Sequence, residues 1–331
     1  MHDLPLVMVT DLVSEPLDCE RRVLDGHAQV IALDIQQQSE FKEQLNDADA
    51  VMIYHYLRLT REHIERLRNC KVIVRPGVGY DNIDLVAARE RGIPVCNVPD
   101  YGTEEVADSA IGMALALARG VHFLNSRLRR GVGAWNPDQA VPIHRLRGRV
   151  FGIIGCGRIG AAAALRAKAF GFDVVFYDPP LRDGVEKSLG VRRVDSLEEL
   201  LRQSHIVSMH CPLTPETRGM IGAAELASLP AGAIVINTAR GGVVDTAAVV
   251  EALAQGHLSG AGIDVLEIEP PQEDSPVLKA WRDPSHAAHD RLILNPHSSF
   301  YCEEGSAELR TKASREVLRG LQGKPFRNRV G

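Results

Sequence analysis

Basic excess, long apolar runs and paired cysteines are all missing from this 331-residue chain. Lys and Arg total 38 against 43 Asp and Glu, a formal charge of −5, so no electrostatic footprint for nucleic acid is expected. Apolar stretches are strand-sized and broken by charge or glycine. None approaches the roughly 20 residues that span a bilayer, and no membrane partner is expected. Met1-His2-Asp3-Leu4-Pro5 lacks the basic-then-apolar order of a secretory signal. Cys19, Cys70, Cys96, Cys156, Cys211 and Cys302 are scattered without a C-x-x-C pair. That usage predicts a reduced, cytoplasmic protein, and no metal-ligand set is read. Neither a short repeat nor a low-complexity segment is present. The 45% apolar content is ordinary, and at this length it allows two domains with a core each.

Short apolar runs alternate with polar helical stretches from the start. Strands are predicted at 6–9, 30–33, 50–54, 72–75 and 94–97, with helices at 61–68, capped by Thr60, and at 85–91, closed by Gly92. A single long helix is predicted over 102–124, then a surface connection over 131–148. Beyond it, strands are predicted at 150–154, 174–177, 206–209, 233–237, 260–264 and 292–294. Helices are predicted at 197–202, 223–228, 246–254 and 303–321. The stretch 270–289 carries several prolines and reads as irregular. Alternating β and α elements with β-branched strands imply an α/β protein with parallel sheets covered on both faces.

One junction is more specific than the rest. Val150-Phe151-Gly152-Ile153-Ile154 runs into Gly155-Cys156-Gly157-Arg158-Ile159-Gly160, and an alanine-rich helix follows. Gly155 permits a tight turn, Gly157 lets backbone approach a pyrophosphate, and Gly160 allows close helix–strand packing. The helix start offers free amides and a positive dipole end to phosphates. The next strand ends on Asp178, eighteen positions beyond Gly160. Its carboxylate suits the two ribose hydroxyls of NAD and repels a 2′-phosphate.

In parallel sheets, ligands bind beyond the carboxyl ends of strands. The polar residues at those ends are Arg75 before Pro76-Gly77-Val78-Gly79, Cys211-Pro212, Thr238-Ala239-Arg240, Asp264 with Glu269 after it, and Asn295-Pro296-His297. An arginine fork suits a carboxylate. A histidine can move the proton that accompanies hydride transfer, and a neighbouring carboxylate favours its charged form.

On these residues the chain resembles the D-isomer-specific 2-hydroxyacid dehydrogenases. The resemblance rests on the Gly-rich turn with Asp178, His210-Cys211-Pro212-Leu213-Thr214-Pro215-Glu216-Thr217, Asn237-Thr238-Ala239-Arg240-Gly241-Gly242, Gly262-Ile263-Asp264-Val265 through Glu269-Pro270, and Asn295-Pro296-His297. It implies two Rossmann-like doubly wound domains. One is a discontinuous, flavodoxin-like substrate domain of residues 1–100 and 300–331, and the other an inserted NAD-binding domain of residues 101–299. It also implies that Arg240, Glu269 and His297 are catalytic. Cofactor contacts would fall on Val106, Gly155, Gly157, Arg158, Ile159, Gly160, Asp178, Cys211, Pro212, Thr217, Thr238, Ala239, Asp264 and His297. Family members are usually dimers joined through the cofactor domain.

Several segments resemble the branch of C-terminal-binding proteins, NAD-binding corepressors. These are Ile53-Tyr54-His55, Ile73-Val74-Arg75, Gly79-Tyr80-Asp81-Asn82-Ile83-Asp84, Cys96-Asn97-Val98-Pro99 and His297-Ser298-Ser299-Phe300-Tyr301. By that likeness Arg75, the amides of Val78 and Gly79, Tyr54 and Phe300 would meet a small 2-oxo or 2-hydroxy acid. Phe300 stands where those corepressors carry tryptophan, and no counterpart of their long tail is expected after Gly331. The expectation is an NAD-dependent 2-hydroxyacid dehydrogenase, with an NAD-sensing peptide-binding scaffold as the alternative.

Overall fold

The structure, a computed structural model, describes residues 4–41 and 43–331. The chain divides into two compact units, Met1–Gly102 with Tyr301–Gly331, and Thr103–Phe300. Each contains its own parallel sheet and apolar core.

The first unit begins with β1 (Leu6–Val9), α1 (Asp18–Leu24), β2 (Gln29–Ala32), β3 (Ala50–Met52), α2 (Arg61–Arg66), β4 (Val72–Arg75), α3 (Leu85–Glu90) and β5 (Val95–Asn97). β3 and β4 are buried along their whole length, as strands covered on both faces must be. α3 starts where Asp84 accepts a bond from Ala87 N at 2.9 Å, an N-cap. β3 stops two residues earlier than predicted, because the amides from Tyr54 onward leave the ladder for a side chain.

The second unit opens with α4 (Thr103–Ala118) and α5 (Val121–Arg129). The single helix predicted over 102–124 is thus two. Gly120 lies between them in the left-handed region at φ 65°, and a Cβ there would come within 3.1–3.2 Å of Ala140 and Ile143 side chains. A Gly with its amide bonded back to Leu117 O ends one helix, and its carbonyl starts the next. The chain continues through β6 (Val150–Ile154), α6 (Arg158–Ala169), β7 (Asp173–Tyr177), α7 (Val185–Leu189), β8 (Arg192–Arg193), α8 (Leu197–Gln203) and β9 (Ile206–Met209). It closes with α9 (Ala223–Ser228), β10 (Ala233–Asn237), α10 (Thr246–Ala254), β11 (Leu258–Ile263), α11 (Pro276–Arg282), α12 (Ala288–Arg291) and β12 (Leu292–Leu294). The region read as irregular over 270–289 therefore holds α11 and the start of α12. Pro276 occupies the first turn of α11, where a missing N–H costs nothing.

The chain then returns to the first unit as α13 (Glu303–Leu321) and the short β13 (Arg329–Val330). Leu309, Ala313 and Val317 bury one face of α13, and Gly320 lets it come close to Val72 of β4. The first sheet has the order β13-β5-β4-β3-β1-β2, parallel except for β13. The winding reverses between β1 and β3, the flavodoxin-like order. The second sheet runs β12-β11-β10-β9-β6-β7-β8, all parallel. Its reversal lies between β6 and β9, where the Gly-rich turn leaves β6. Among the described residues no helix is long and apolar enough to cross a membrane.

Candidate active site

The turn after β6 is shaped by what its glycines exclude. Gly155 has φ 86°, and a Cβ on it would lie 2.7–2.8 Å from the backbone of His210 and Cys211. A Cβ on Gly160 would sit 2.0 Å from Gly155 O. Around Gly157 there is open space to 4 Å, and no side chain caps α6. Unsatisfied amides therefore face an unobstructed cradle, as a pyrophosphate requires. Asp178 follows β7, and its Oδ2 accepts from Cys156 N at 2.8 Å. One carboxylate oxygen thus braces the turn and the other is available to ribose hydroxyls. Arg193 donates to the carbonyl of Asp178 at 3.0 Å and pairs with Asp183 at 3.1 Å, so this cation belongs to the loop rather than to a 2′-phosphate. Burial pushes the Cys156 thiol up to about 12, which makes it a filler and not a nucleophile.

Neighbouring strand ends carry the other residues. Beyond β9, Thr217 Oγ1 donates to Pro212 O at 2.6 Å and accepts from Thr214 N at 2.8 Å, fixing the turn after Cys211. Burial pushes the Cys211 thiol up to about 11. Beyond β10, Asn237 ties the Thr238-Ala239-Arg240 turn by accepting from Ala239 N and donating to Arg240 O, both at 3.0 Å. A Cβ on Gly241 would lie 1.9 Å from Leu266 C. Only glycine lets the segment after Arg240 lie against the loop beyond β11. Val106, in the first turn of α4, is buried in the same unit.

Beyond β11, Asp264 is 2% exposed and works through its backbone and carboxylate together. Its carbonyl accepts from His297 N at 2.8 Å, and its carboxylate accepts from Ser298 N at 2.9 Å and Ser299 N at 3.1 Å. The carboxylate thus fixes the histidine loop. His297 itself has φ 51°, a conformation that costs a β-carbon residue energy and persists only where neighbours over-determine it. Its Nδ1 lies 2.7 Å from Glu269 Oε2, while Glu269 Oε1 accepts from Leu266 N at 2.6 Å. Nδ1–H pointing at a carboxylate fixes the tautomer and the ring plane. Phe300 meets His297 edge-on, with centroids 6.1 Å apart.

In the first unit, Arg75 ends β4 with its guanidinium folded over the following loop, Nη1 donating to Pro76 O at 2.7 Å. A Cβ on Gly77 would collide with that guanidinium at 1.3 Å. Asn97 Nδ2 donates to Val78 O at 2.7 Å, and Val98 N to Gly77 O at 3.0 Å. These bonds hold Val78 and Gly79 beside Arg75. Tyr54 takes a different place from the one expected. Its ring is 1% exposed, and its hydroxyl donates to Glu20 at 3.4 Å. Burial, with Glu20 alongside, raises its phenol well above the ordinary value. Glu20 pairs in turn with Arg310 at 2.8 and 2.6 Å. This side chain is committed to the core, and its neighbours His55 and Tyr56 carry the loop's outer face. Asp11, Glu20 and Arg310 were not singled out from sequence. No local motif marks them, because each bonds to residues 34 to 290 positions away.

Residues 111–299 match the family described as D-isomer specific 2-hydroxyacid dehydrogenase, NAD binding domain. The chain is 37% identical over 324 residues to a D-3-phosphoglycerate dehydrogenase of Methanocaldococcus jannaschii, covering 98% of this chain and 59% of that protein. It is 36% identical over 327 residues to C-terminal-binding protein 1 of Caenorhabditis elegans, covering 97% of this chain and 44% of that protein. It therefore spans about half the length of these curated relatives. Among solved structures, D-lactate dehydrogenase from Aquifex aeolicus, complexed with NAD and lactic acid, superposes with a TM-score of 0.81 at 29% identity, covering 96% of each chain. With this match over more than half its length, and an NAD cradle at the switch point of its second sheet, the chain belongs to the D-isomer specific 2-hydroxyacid dehydrogenase family.

Proposed function

We propose that the protein interconverts a 2-oxo acid and a D-2-hydroxy acid, with His297 as the proton carrier. The observation that carries this reading is the 2.7 Å pairing of His297 Nδ1 with Glu269 on a backbone held at positive φ. An imidazole so fixed presents its other nitrogen in one direction, as general acid catalysis requires. The cradle of Gly155, Gly157, Arg158, Ile159 and Gly160 holds the dinucleotide, with Asp178 on its ribose. Bound NADH supplies a hydride to the carbonyl carbon. His297 gives the proton to the carbonyl oxygen, and Glu269 keeps the ring aimed while it does so. Arg240 holds the substrate carboxylate from the second unit. Arg75, with the amides of Val78 and Gly79, also suits a carboxylate. Phe300 supplies an apolar wall beside the imidazole.

The test is NADH oxidation with a panel of small 2-oxo acids. His297→Ala lowers kcat by about 10²–10⁴-fold, while NADH still binds; undiminished turnover sinks the role. Glu269→Gln keeps a hydrogen bond but not the charge, and lowers kcat more than it raises KM. The likeness to the worm C-terminal-binding protein favours a second reading, an NAD-sensing scaffold that binds peptides. His297-dependent turnover at ordinary enzyme rates decides for the enzyme.

The assembly belongs to the same proposal. Trp135 is 91% exposed, and Val121, Leu128, Val141 and Ile143 of the second unit are also exposed. That many exposed apolar side chains within residues 121–143 favour a homodimer joined through the NAD-binding unit. The six free cysteines support a reducing, cytoplasmic setting.

A further inference from the structure

The winding of the first sheet reverses between β1 and β3, and a crevice beyond the strand ends is expected at such a point. Asp11 follows β1 there and is fully buried. Its Oδ1 accepts from Tyr54 N at 2.9 Å, and its Oδ2 accepts from His55 N at 2.8 Å and Tyr56 N at 2.6 Å. The Thr10 hydroxyl also donates to it. Three consecutive amides beyond β3 thus converge on one carboxylate, an arrangement that elsewhere binds a free anion. The carbonyl side of the same loop is held as well. Asn82 Nδ2 donates to Tyr54 O at 3.1 Å and to Leu57 O at 2.8 Å. Tyr54 is anchored inward on Glu20, which pairs with Arg310. The loop therefore presents His55 and Tyr56, whose rings meet edge-on with centroids 5.4 Å apart.

We propose that Asp11 is a positioning residue for substrate selection, holding residues 54–57 as a rigid wall with His55 and Tyr56 on its outer face. The substrate part of this proposal rests on the reading that 2-oxo acids bind beyond the strand ends of the first unit. A mobile lid in this position needs backbone groups that can let go. Here amides 54, 55 and 56 and carbonyls 54 and 57 are all engaged, and the bonds to Asp11 are charge-assisted. Discrimination among substrates then comes from a preformed shape, and loosening the wall blurs it.

The experiment compares wild type with Asp11→Asn and Asn82→Ala. Asparagine is isosteric, but its amide turns a donor toward donors. Kinetics are measured over 2-oxo acids of increasing chain length, together with NADH affinity and amide hydrogen exchange of residues 54–57. Losing charge-assisted bonds predicts that exchange there speeds by about 10- to 100-fold. KM for the preferred acid rises by about tenfold, kcat changes little, and the ratio of kcat/KM between short and long acids moves toward one. NADH affinity, a property of the second unit, stays the same. Unchanged exchange, or an unchanged substrate ratio with a loosened loop, overturns the proposal. Equal losses on every substrate and on NADH also overturn it, since they mark a general folding role. If Asp11→Asn does not fold, Asn82→Ala alone reads the wall through its carbonyl side. A wild type that turns over no 2-oxo acid overturns the functional reading and the substrate part with it, while exchange still decides the clamp.

Discussion

His210 stands one position past β9, on the sheet face that packs against α4. Its backbone amide continues the ladder to Ile154 O at 2.7 Å, and its Nε2 lies 2.9 Å from Ser208 Oγ. Its Nδ1 is buried without a protein hydrogen-bond partner. Extending the strand register places Thr238 beside it, and the Thr238 hydroxyl is buried in the same condition. Burial lowers the histidine from 6.5 to about 4. In the unfolded chain the ring takes up a proton near 6.5, whereas the folded protein resists until about 4. Its contribution is therefore complete above pH 6.5 and is lost as pH falls through that window, up to about 3 kcal/mol by pH 4. His210→Asn removes this slope. Urea unfolding at pH 7 and pH 4.5 should show the variant losing less stability on acidification than wild type. Equal losses refute the assignment. Single residues were legible where chemistry-bearing types follow a strand, as with Asp178, Arg240, Glu269 and His297. Asp11 was not, because an aspartate after a strand looks the same in sequence whether it caps a distant loop or faces water.

Among the elements, the Gly-rich turn and α6 separate two kinds of glycine. A methyl on Gly160 would overlap Gly155 O at 2.0 Å, and no flexible side chain is there to yield. Gly160→Ala therefore destabilises the fold by about 1–3 kcal/mol and weakens NAD binding with it. Gly157 is different, since a Cβ there meets nothing within 4 Å. Gly157→Ala leaves the melting temperature close to that of wild type. It raises the NADH Kd by about tenfold or more, because the methyl occupies the path of backbone to pyrophosphate. Thermal melts and NADH titration of the two variants test this, and a normal Kd for Gly157→Ala contradicts the cradle. Sequence periodicity located β1, β4, β6, β9, β10 and β12 to the residue. It missed β8 and β13, two residues each, because so short a strand has no period to read. It also ran α4 into α5, since one glycine in an apolar helical run is read either as a cap or as a tolerated interior residue.

At the scale of the whole molecule, the two units differ in how their chain is drawn together. The second is one uninterrupted stretch, Thr103–Phe300, with its own clusters around Val207, Val235 and Phe151. The first takes α13 from the far end of the chain, and the pair of half-buried Arg310 with buried Glu20 joins residues 290 positions apart. That return has no local signature, so only likeness to a family suggested it in advance. The asymmetry has a measurable consequence. A fragment of residues 103–300 retains every residue of the cradle, of the Asp264–His297 loop and of the Glu269 pair. It should fold alone and bind NADH, gaining about 2.7 kcal/mol of stability at a ligand concentration a hundredfold above Kd. Without Arg75 and residues 54–57 it should reduce no 2-oxo acid. A fragment that melts cooperatively, with a midpoint rising with NADH, supports this division of labour. One that stays unfolded, or folds and ignores NADH, shows that the second unit depends on the first for its structure or its cofactor.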